Sequence, residues 1–255
     1  MRGLAGKVAL VTGGGAGIGR AICGRLGAEG VTVGVLDRDG PAARETAELV
    51  ADAGGRATAF EADVTDYDAV AGAVSSLEAA ARPVDILVNN AGIDIAMPFL
   101  ATDTALWRRI VEINLFGPLN LHHIVVRGMA ERRSGKVINI SSDAARVGSS
   151  GESVYAACKG GIISFSKTLA RELARRNVQV NCVCPGPTDT NLFRTFAGDD
   201  EAGQKLVAAL ERAIPMRRLG QPDDYPGIVA FLASSDADFI TGQTISVSGG
   251  LTMAG

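Results

Sequence analysis

Seven short apolar runs, with longer amphipathic stretches between them, constrain this chain more than any other feature. The runs are "KVALVT" (7–12), "VTVGVLD" (31–37), "RATAFEAD" (56–63), "DILVNN" (85–90), "KVINIS" (136–141), "VQVNCVC" (178–184) and "QTISVSG" (243–249). Several are apolar at successive positions, so both faces of the strand need cover, as in parallel strands with helices on either side. The intervening "RAICGRLGAEG", "PAARETAELVADAG" and "DAVAGAVSSLEAAAR" carry apolar residues at helical spacing. Regular β-α-β alternation predicts an α/β fold: one doubly wound parallel sheet with helices on both faces, and a single domain over residues 1–255. The rhythm breaks between the sixth and seventh runs. Residues 188–215 read as an irregular insertion, placed where a substrate lid would sit.

Apolar residues, at 47%, are enough for a full core and exclude a disordered chain. The net charge of −3 is spread among interspersed acids and bases, so no nucleic-acid partner is expected. No apolar run approaches the roughly 18 residues of a membrane helix, so no membrane partner is expected. Cys23, Cys158, Cys182 and Cys184 lie in apolar or helical contexts. The Cys182-x-Cys184 pair lacks a second pair or nearby histidines, and no metal site is expected. Free thiols without a signal peptide point to a cytoplasmic protein.

The stretch "TGGGAGIG" (12–19) follows the first run and opens the first helix. Gly13, Gly17 and Gly19 fit G-x-x-x-G-x-G, a turn whose backbone can approach a pyrophosphate at a helix N-terminus. Gly13, Gly15, Gly17, Ile18 and Gly19 are the expected contacts, although such a turn also occurs for purely structural reasons. Asp37 ends the second run, 18 residues after Gly19, where a carboxylate can hold both ribose hydroxyls of an adenosine and repel a 2′-phosphate. The reading is NAD rather than NADP, with Arg38 as the one neighbour able to reach a phosphate. Asp63 and Val64 are placed to bracket an adenine, and Asn90 and Gly92 to line the groove. Asn90 is also expected to tie strands together.

In "VYAACKGG" (154–161), Tyr155 and Lys159 share one helix face. A free phenol, with pKa about 10, is a poor base near neutral pH, whereas a nearby cation favours the phenolate. Taken alone, the pair fits an ordinary helix-face contact equally well.

The ordered set TGxxxGIG, NNAG, the asparagine of "EINL", a serine ahead of YxxxK, and PGxxxT resembles the short-chain dehydrogenase/reductase family across essentially the whole chain. The resemblance implies a single Rossmann-type domain with a seven-stranded parallel sheet in order 3-2-1-4-5-6-7. It also implies a homotetramer or dimer, and hydride transfer between a nicotinamide cofactor and an alcohol or ketone. Ser142, 13 residues before Tyr155, would hold the substrate oxygen. Tyr155 would exchange the proton, and Lys159 would hold the ribose and lower the phenol pKa. Asn114 would anchor a water continuing the relay. Pro185, Thr188 and Thr190 of "PGPTDT" would meet the nicotinamide end. Ser141 competes with Ser142, but alternation along a strand lets only one face the site. The resemblance also implies that the uncharged tail "SVSGGLTMAG" packs at a subunit interface.

The stretches "SSDAARVGSSGESVYAACKGG" and "ITGQTISVSGGLTMAG" further resemble the 2-hydroxycyclohexanecarbonyl-CoA dehydrogenases. This implies a small-molecule alcohol/ketone substrate in the form of a hydroxyacyl-CoA thioester. Arg146, Arg194, Arg217 and Arg218 are candidates for the CoA phosphates or simply solvated arginines. Alternatives are a 3-oxoacyl thioester reductase using NADPH, another secondary alcohol or sugar dehydrogenase, and a nucleotide-binding scaffold without chemistry. His122 and His123 read as packing or interface residues, and Glu152 as a helix N-terminal acid.

Overall fold

The computed structural model describes residues 1–198 and 200–253. Seven strands form one all-parallel sheet: β1 Val8–Thr12, β2 Thr32–Asp37, β3 Arg56–Glu61, β4 Ile86–Asn89, β5 Gly135–Ile140, β6 Val178–Pro185 and β7 Thr244–Val247. Their order is β3-β2-β1-β4-β5-β6-β7, as expected. The helices are α1 Gly17–Ala28, α2 Gly40–Asp52, α3 Tyr67–Ala80, α4 Thr104–Val111, α5 Gly117–Arg132, α6 Ala144–Val147, α7 Ser153–Leu173, α8 Asn191–Ala197, α9 Glu201–Ala213 and α10 Pro226–Ala233.

The double-sided apolar runs have the consequence their composition requires. In β1, Ala9 and Val11 pack into a core beneath α1, α2 and α10, while Val8 and Leu10 enter a second core beneath α3, α5 and α7. Each fully buried aliphatic side chain contributes about 1.5–3 kcal/mol relative to exposure. β1 pairs with both β2 and β4, so successive crossovers leave it in opposite directions. A crevice opens at such a reversal, beyond the carboxyl ends of the strands, and the functional groups gather there.

Two expectations change. β3 and β5 end earlier than their sequence runs, so Asp63 and Ser142 stand on loops beyond the strands. Residues 188–215 are not irregular, since they hold α8 and α9. Thr190 caps α8 by accepting from Phe193 N at 3.2 Å, and Asp200 caps α9 by accepting from Gly203 N at 2.9 Å. Both are residue types that favour an N-cap, and Leu206 and Leu210 mark one face of the second helix. Asp199 of this segment, and Ala254 and Gly255 of the expected interface tail, lie outside the described residues.

Between α4 and α5 the chain runs through a π-helical turn, Glu112–Phe116, which carries the "EINL" motif. Widened turns of this kind frequently mark functional positions. No helix among the described residues is long and apolar enough to cross a membrane.

Candidate active site

A cavity of about 730 Å³ lies across the carboxyl ends of β1, β2, β4, β5 and β6. That volume falls within the range of cofactor and ligand sites. Of the residues expected to bind the dinucleotide or take part in proton transfer, it takes in all except Gly15, Gly19 and Asn114.

At one end the glycine turn is packed too tightly for side chains. Gly13 has φ +62°, and a Cβ there would lie 2.8 Å from Ala91 Cα. A Cβ on Gly19 would overlap the Gly13 carbonyl oxygen. Asn90 pins the turn by donating from Nδ2 to Thr12 O and Gly13 O, both at 3.0 Å. Asn89, one residue earlier, instead ties β4 to β5 by donating to Asn139 Oδ1 at 2.8 Å. The two adjacent asparagines therefore divide the structural and groove-lining work.

Ahead of α1, Ala16 offers no side-chain cap, so the first-turn N–H groups remain open to the cavity. An anion suits that position. Asp37 Oδ2 accepts from Gly15 N at 2.9 Å and Oδ1 from Asp39 N at 3.0 Å. The carboxylate is thereby oriented at the cavity edge, with Arg38 beside it. The bare turn, open helix end and oriented acid together fit a dinucleotide. Arg20 contributes a brace that the motif alone does not reveal: its guanidinium donates to Gly15 O at 3.0 and 2.6 Å. Asp63 is exposed and forms a turn with Thr65, accepting from its N at 2.9 Å.

At the other end Ser142, Tyr155 and Lys159 meet. Ser141 turns away, donating to Lys159 O at 3.0 Å, so Ser142 faces the cavity as alternation predicts. Ser142 Oγ accepts from Ala144 N at 3.1 Å and stands beside the Tyr155 hydroxyl. Lys159 Nζ lies 5.7 Å from the centroid of the Tyr155 ring and donates to Ile140 O at 2.9 Å. Asn114, in the π turn, accepts from Ile93 N at 3.2 Å and donates to Ile93 O at 2.9 Å and Ile110 O at 3.0 Å. It clasps the loop after β4, a role that its sequence motif did not disclose. Gly92 sits between this side chain and the lysine; a Cβ there would lie 2.7 Å from Asn114 Oδ1 and 3.3 Å from Lys159 Nζ.

The electrostatics of the chain's own groups act on Tyr155 in the sense opposite to the effect expected of Lys159. Burial raises the Tyr155 pKa, the charges of Asp94 and Glu152 raise it further, and the Ser142 hydroxyl only partly opposes them. These groups favour the protonated phenol. Burial also pushes the Lys159 ammonium down to about 8. Thr188 lines the cavity, but its hydroxyl donates to Gly186 O at 2.8 Å and is also hydrogen-bonded to Tyr225 OH. Thr190 serves as the α8 cap, and Pro185 ends β6 at the cavity wall.

Leu192 and Phe193 of α8 and Leu206 and Leu210 of α9 form an apolar wall over the reactive end. None of the four arginines considered for CoA phosphates lines the cavity. Arg194 pairs with Asp189 at 2.9 Å and Arg218 with Asp224 at 2.6 Å, both on the surface. His122 is buried packing, whereas His123 is on the surface, hydrogen-bonded to Tyr67 OH at 2.8 Å.

Comparison with known proteins matches residues 13–252 to a family model described as enoyl-(acyl carrier protein) reductase. A nodulation protein G from a Rhizobium strain is 41% identical over 250 residues, covering 98% of each chain. The 3-oxoacyl-acyl-carrier-protein reductase FabG of Escherichia coli is 39% identical over 250 residues, covering 97% of this chain and 98% of the relative. A 3-oxoacyl-acyl-carrier-protein reductase of Brucella melitensis solved with bound NAD superposes with TM-score 0.89 at 35% identity, covering 98% of this chain and 92% of that one. An actinorhodin polyketide ketoreductase variant solved with NADPH superposes with TM-score 0.92 at 34% identity, covering 98% and 99%.

Proposed function

Because the chain belongs to the short-chain dehydrogenase/reductase family, we propose that it interconverts a 3-oxoacyl thioester and its 3-hydroxyacyl counterpart, using NAD(H). The observation that carries this reading is the pairing of a protonated Tyr155 with Ser142 beneath the apolar wall of α8 and α9. Ser142 Oγ–H and Tyr155 O–H both donate to the oxygen of a ketone seated there. In reduction the carbonyl oxygen gains negative charge, and the tyrosine releases its proton to that oxygen. A phenol held protonated by its surroundings suits this direction. The reverse reaction requires Tyr155 to give up its proton first, against burial and two nearby acids. Lys159 retains donors beyond the bond to Ile140 O, and its ammonium stabilises the tyrosinate left after proton release.

A nicotinamide dinucleotide bound in the groove supplies or accepts the hydride. The Asp37 carboxylate, oriented by Gly15 N, supports the choice of NAD(H): a 2′-phosphate at that ribose would place like charges side by side. Thioester relatives support the substrate class. A ring substrate such as 2-hydroxycyclohexanecarbonyl-CoA belongs to the same class and fits the apolar wall. α8 and α9 act as the lid over this substrate. Four free cysteines suit a reducing cytoplasm, and exposed Leu100 and Phe239 suit burial in a homotetramer.

The test follows absorbance of the reduced nicotinamide with acetoacetyl-CoA and 2-oxocyclohexanecarbonyl-CoA, each with NADH and NADPH. Turnover with at least roughly tenfold preference for NADH is expected, equivalent to about 1.4 kcal/mol. Preference for NADPH overturns the cofactor reading. Turnover of simple secondary alcohols or sugars but of no thioester overturns the substrate reading.

A further inference from the structure

The loop after β4 and the start of α7 bring two carboxyl groups to the cavity wall beside Tyr155. Asp94 follows Ile93, whose backbone N–H and C=O are both clasped by Asn114. Glu152 is the residue before α7, three positions ahead of Tyr155. A backbone hydrogen bond from Met97 N to Gly151 O at 2.9 Å joins the two loops. Both acids line the same cavity as Ser142 and Tyr155. Asp94 Oδ1 is buried without a hydrogen-bond donor among the described residues. Neither carboxyl forms an ion pair among the described residues. Lys159, the cation on the same helix, is held toward Ile140 O.

Loss of water and the neighbouring Glu152 carboxyl make ionising Asp94 costly, and the Lys159 ammonium offsets this only in part. Burial and the Glu152 carboxyl push Asp94 up to about 7. With its proton in place, Asp94 offers an O–H donor beside the acceptor oxygens of Glu152.

We infer that Asp94 and Glu152 form a specificity-determining pair that accepts a neutral acyl carbonyl beside the reacting ketone and rejects a free carboxylate there. The inference rests on the thioester reading above and deepens it. In a 3-oxoacyl compound a single methylene separates the two carbonyl groups. With the ketone oxygen held by Ser142 and Tyr155, the second oxygen must fall on the neighbouring wall, where the acid pair stands. The Asp94 proton can be donated to a thioester oxygen. A carboxylate in that place brings a further negative charge against the pair and against developing charge on the ketone oxygen. Asp94 and Glu152 thus supply a reason for a thioester, rather than the free 3-oxo acid, to be the substrate.

The test compares kcat/KM for three ketones with saturating NADH: the N-acetylcysteamine thioester of acetoacetate, acetoacetate itself, and butanone, which lacks a second carbonyl. Wild type is measured beside Asp94→Asn, Glu152→Gln and the double variant. The thioester is expected to exceed the free acid by roughly 100-fold or more in wild type, and the double variant is expected to lose at least roughly tenfold of that ratio. An effect of these variants through the Tyr155 proton moves all three substrates together, so butanone serves as the reference and the ratio of thioester to free acid is the readout. Should the double variant fail to fold, Glu152→Gln alone reads the same ratio. An unchanged ratio in variants that fold, while wild type reduces the thioester, overturns the inference. Failure of wild type to reduce either 3-oxo compound overturns the thioester reading itself.

Discussion

Acidification should weaken this fold through one side chain, His122. The ring is buried on α5, 3% exposed, against β4, β5 and α7. Its Nδ1 faces the Pro118 carbonyl oxygen at 2.5 Å, an atom that can only accept, so Nδ1 carries the hydrogen. Its Nε2 accepts from Asn139 Nδ2 at 3.2 Å, and Asn139 also donates to Ser166 Oγ at 2.8 Å. A proton on Nε2 would set two donors against each other in a dry interior. Burial accordingly pushes the imidazole down to about 4, from the ordinary 6.5. In the unfolded chain the histidine protonates near 6.5, so stability is fully present above that pH and is lost as pH falls towards 4. At about 1.4 kcal/mol per pH unit, the loss is about 2 kcal/mol by pH 5. For a chain of this size that corresponds to roughly 4–8 °C in Tm.

Asp94 works in the opposite sense. Its raised pKa means that the native state binds the proton first, so its contribution grows as pH falls from about 7. The measurement is therefore a comparison: urea unfolding of wild type and His122→Gln at pH 7.5 and pH 5. Asp94 cancels between them. Glu29, Asp224 and Asp236, held low chiefly by their hydrogen-bonded cationic partners, titrate below this window. The wild type should lose about 2 kcal/mol relative to the variant across the interval. Parallel changes in the two proteins would refute the neutral-histidine argument.

Tyr155→Phe removes the proton donor but keeps the ring, and should reduce turnover by roughly 10²–10⁴-fold with dinucleotide binding by fluorescence titration intact. Loss of both would mark the tyrosine as structural. Gly19→Ala places a methyl group into the Gly13 carbonyl oxygen, so the turn must move. Dinucleotide affinity should fall at least roughly tenfold, about 1.4 kcal/mol, in the same titration; wild-type affinity would show that the turn adapts freely.

Local rules made most of the framework legible. Strand positions and the doubly wound class follow from apolar runs that need cover on both faces, as Val8–Thr12 shows. The glycine turn was readable because only bare backbone fits between Gly13, Gly19 and Asn90. Ser142 was separable from Ser141 because alternation is itself local. The helices α8 and α9 begin at ordinary caps, Thr190 and Asp200, but they interrupt the β-α rhythm that marks the other elements in the sequence.

The chain order of residue types alone specified a parallel α/β sheet and a dinucleotide turn, since each depends on neighbours within a few positions, while the joining of Ser142 to Tyr155 and Lys159 followed from the family resemblance. What required the folded protein was the sign of the electrostatics and the identity of the wall. Tyr155 and Lys159 are four residues apart, and sequence spacing suggested that the cation would lower the phenol pKa. Packing sets other influences against that effect: it buries the ring, directs Lys159 Nζ to Ile140 O, and brings Asp94 alongside from 61 positions earlier in the chain. Desolvation and through-space charge depend on what the whole chain places around a group, and no local pattern of residue types carries that information.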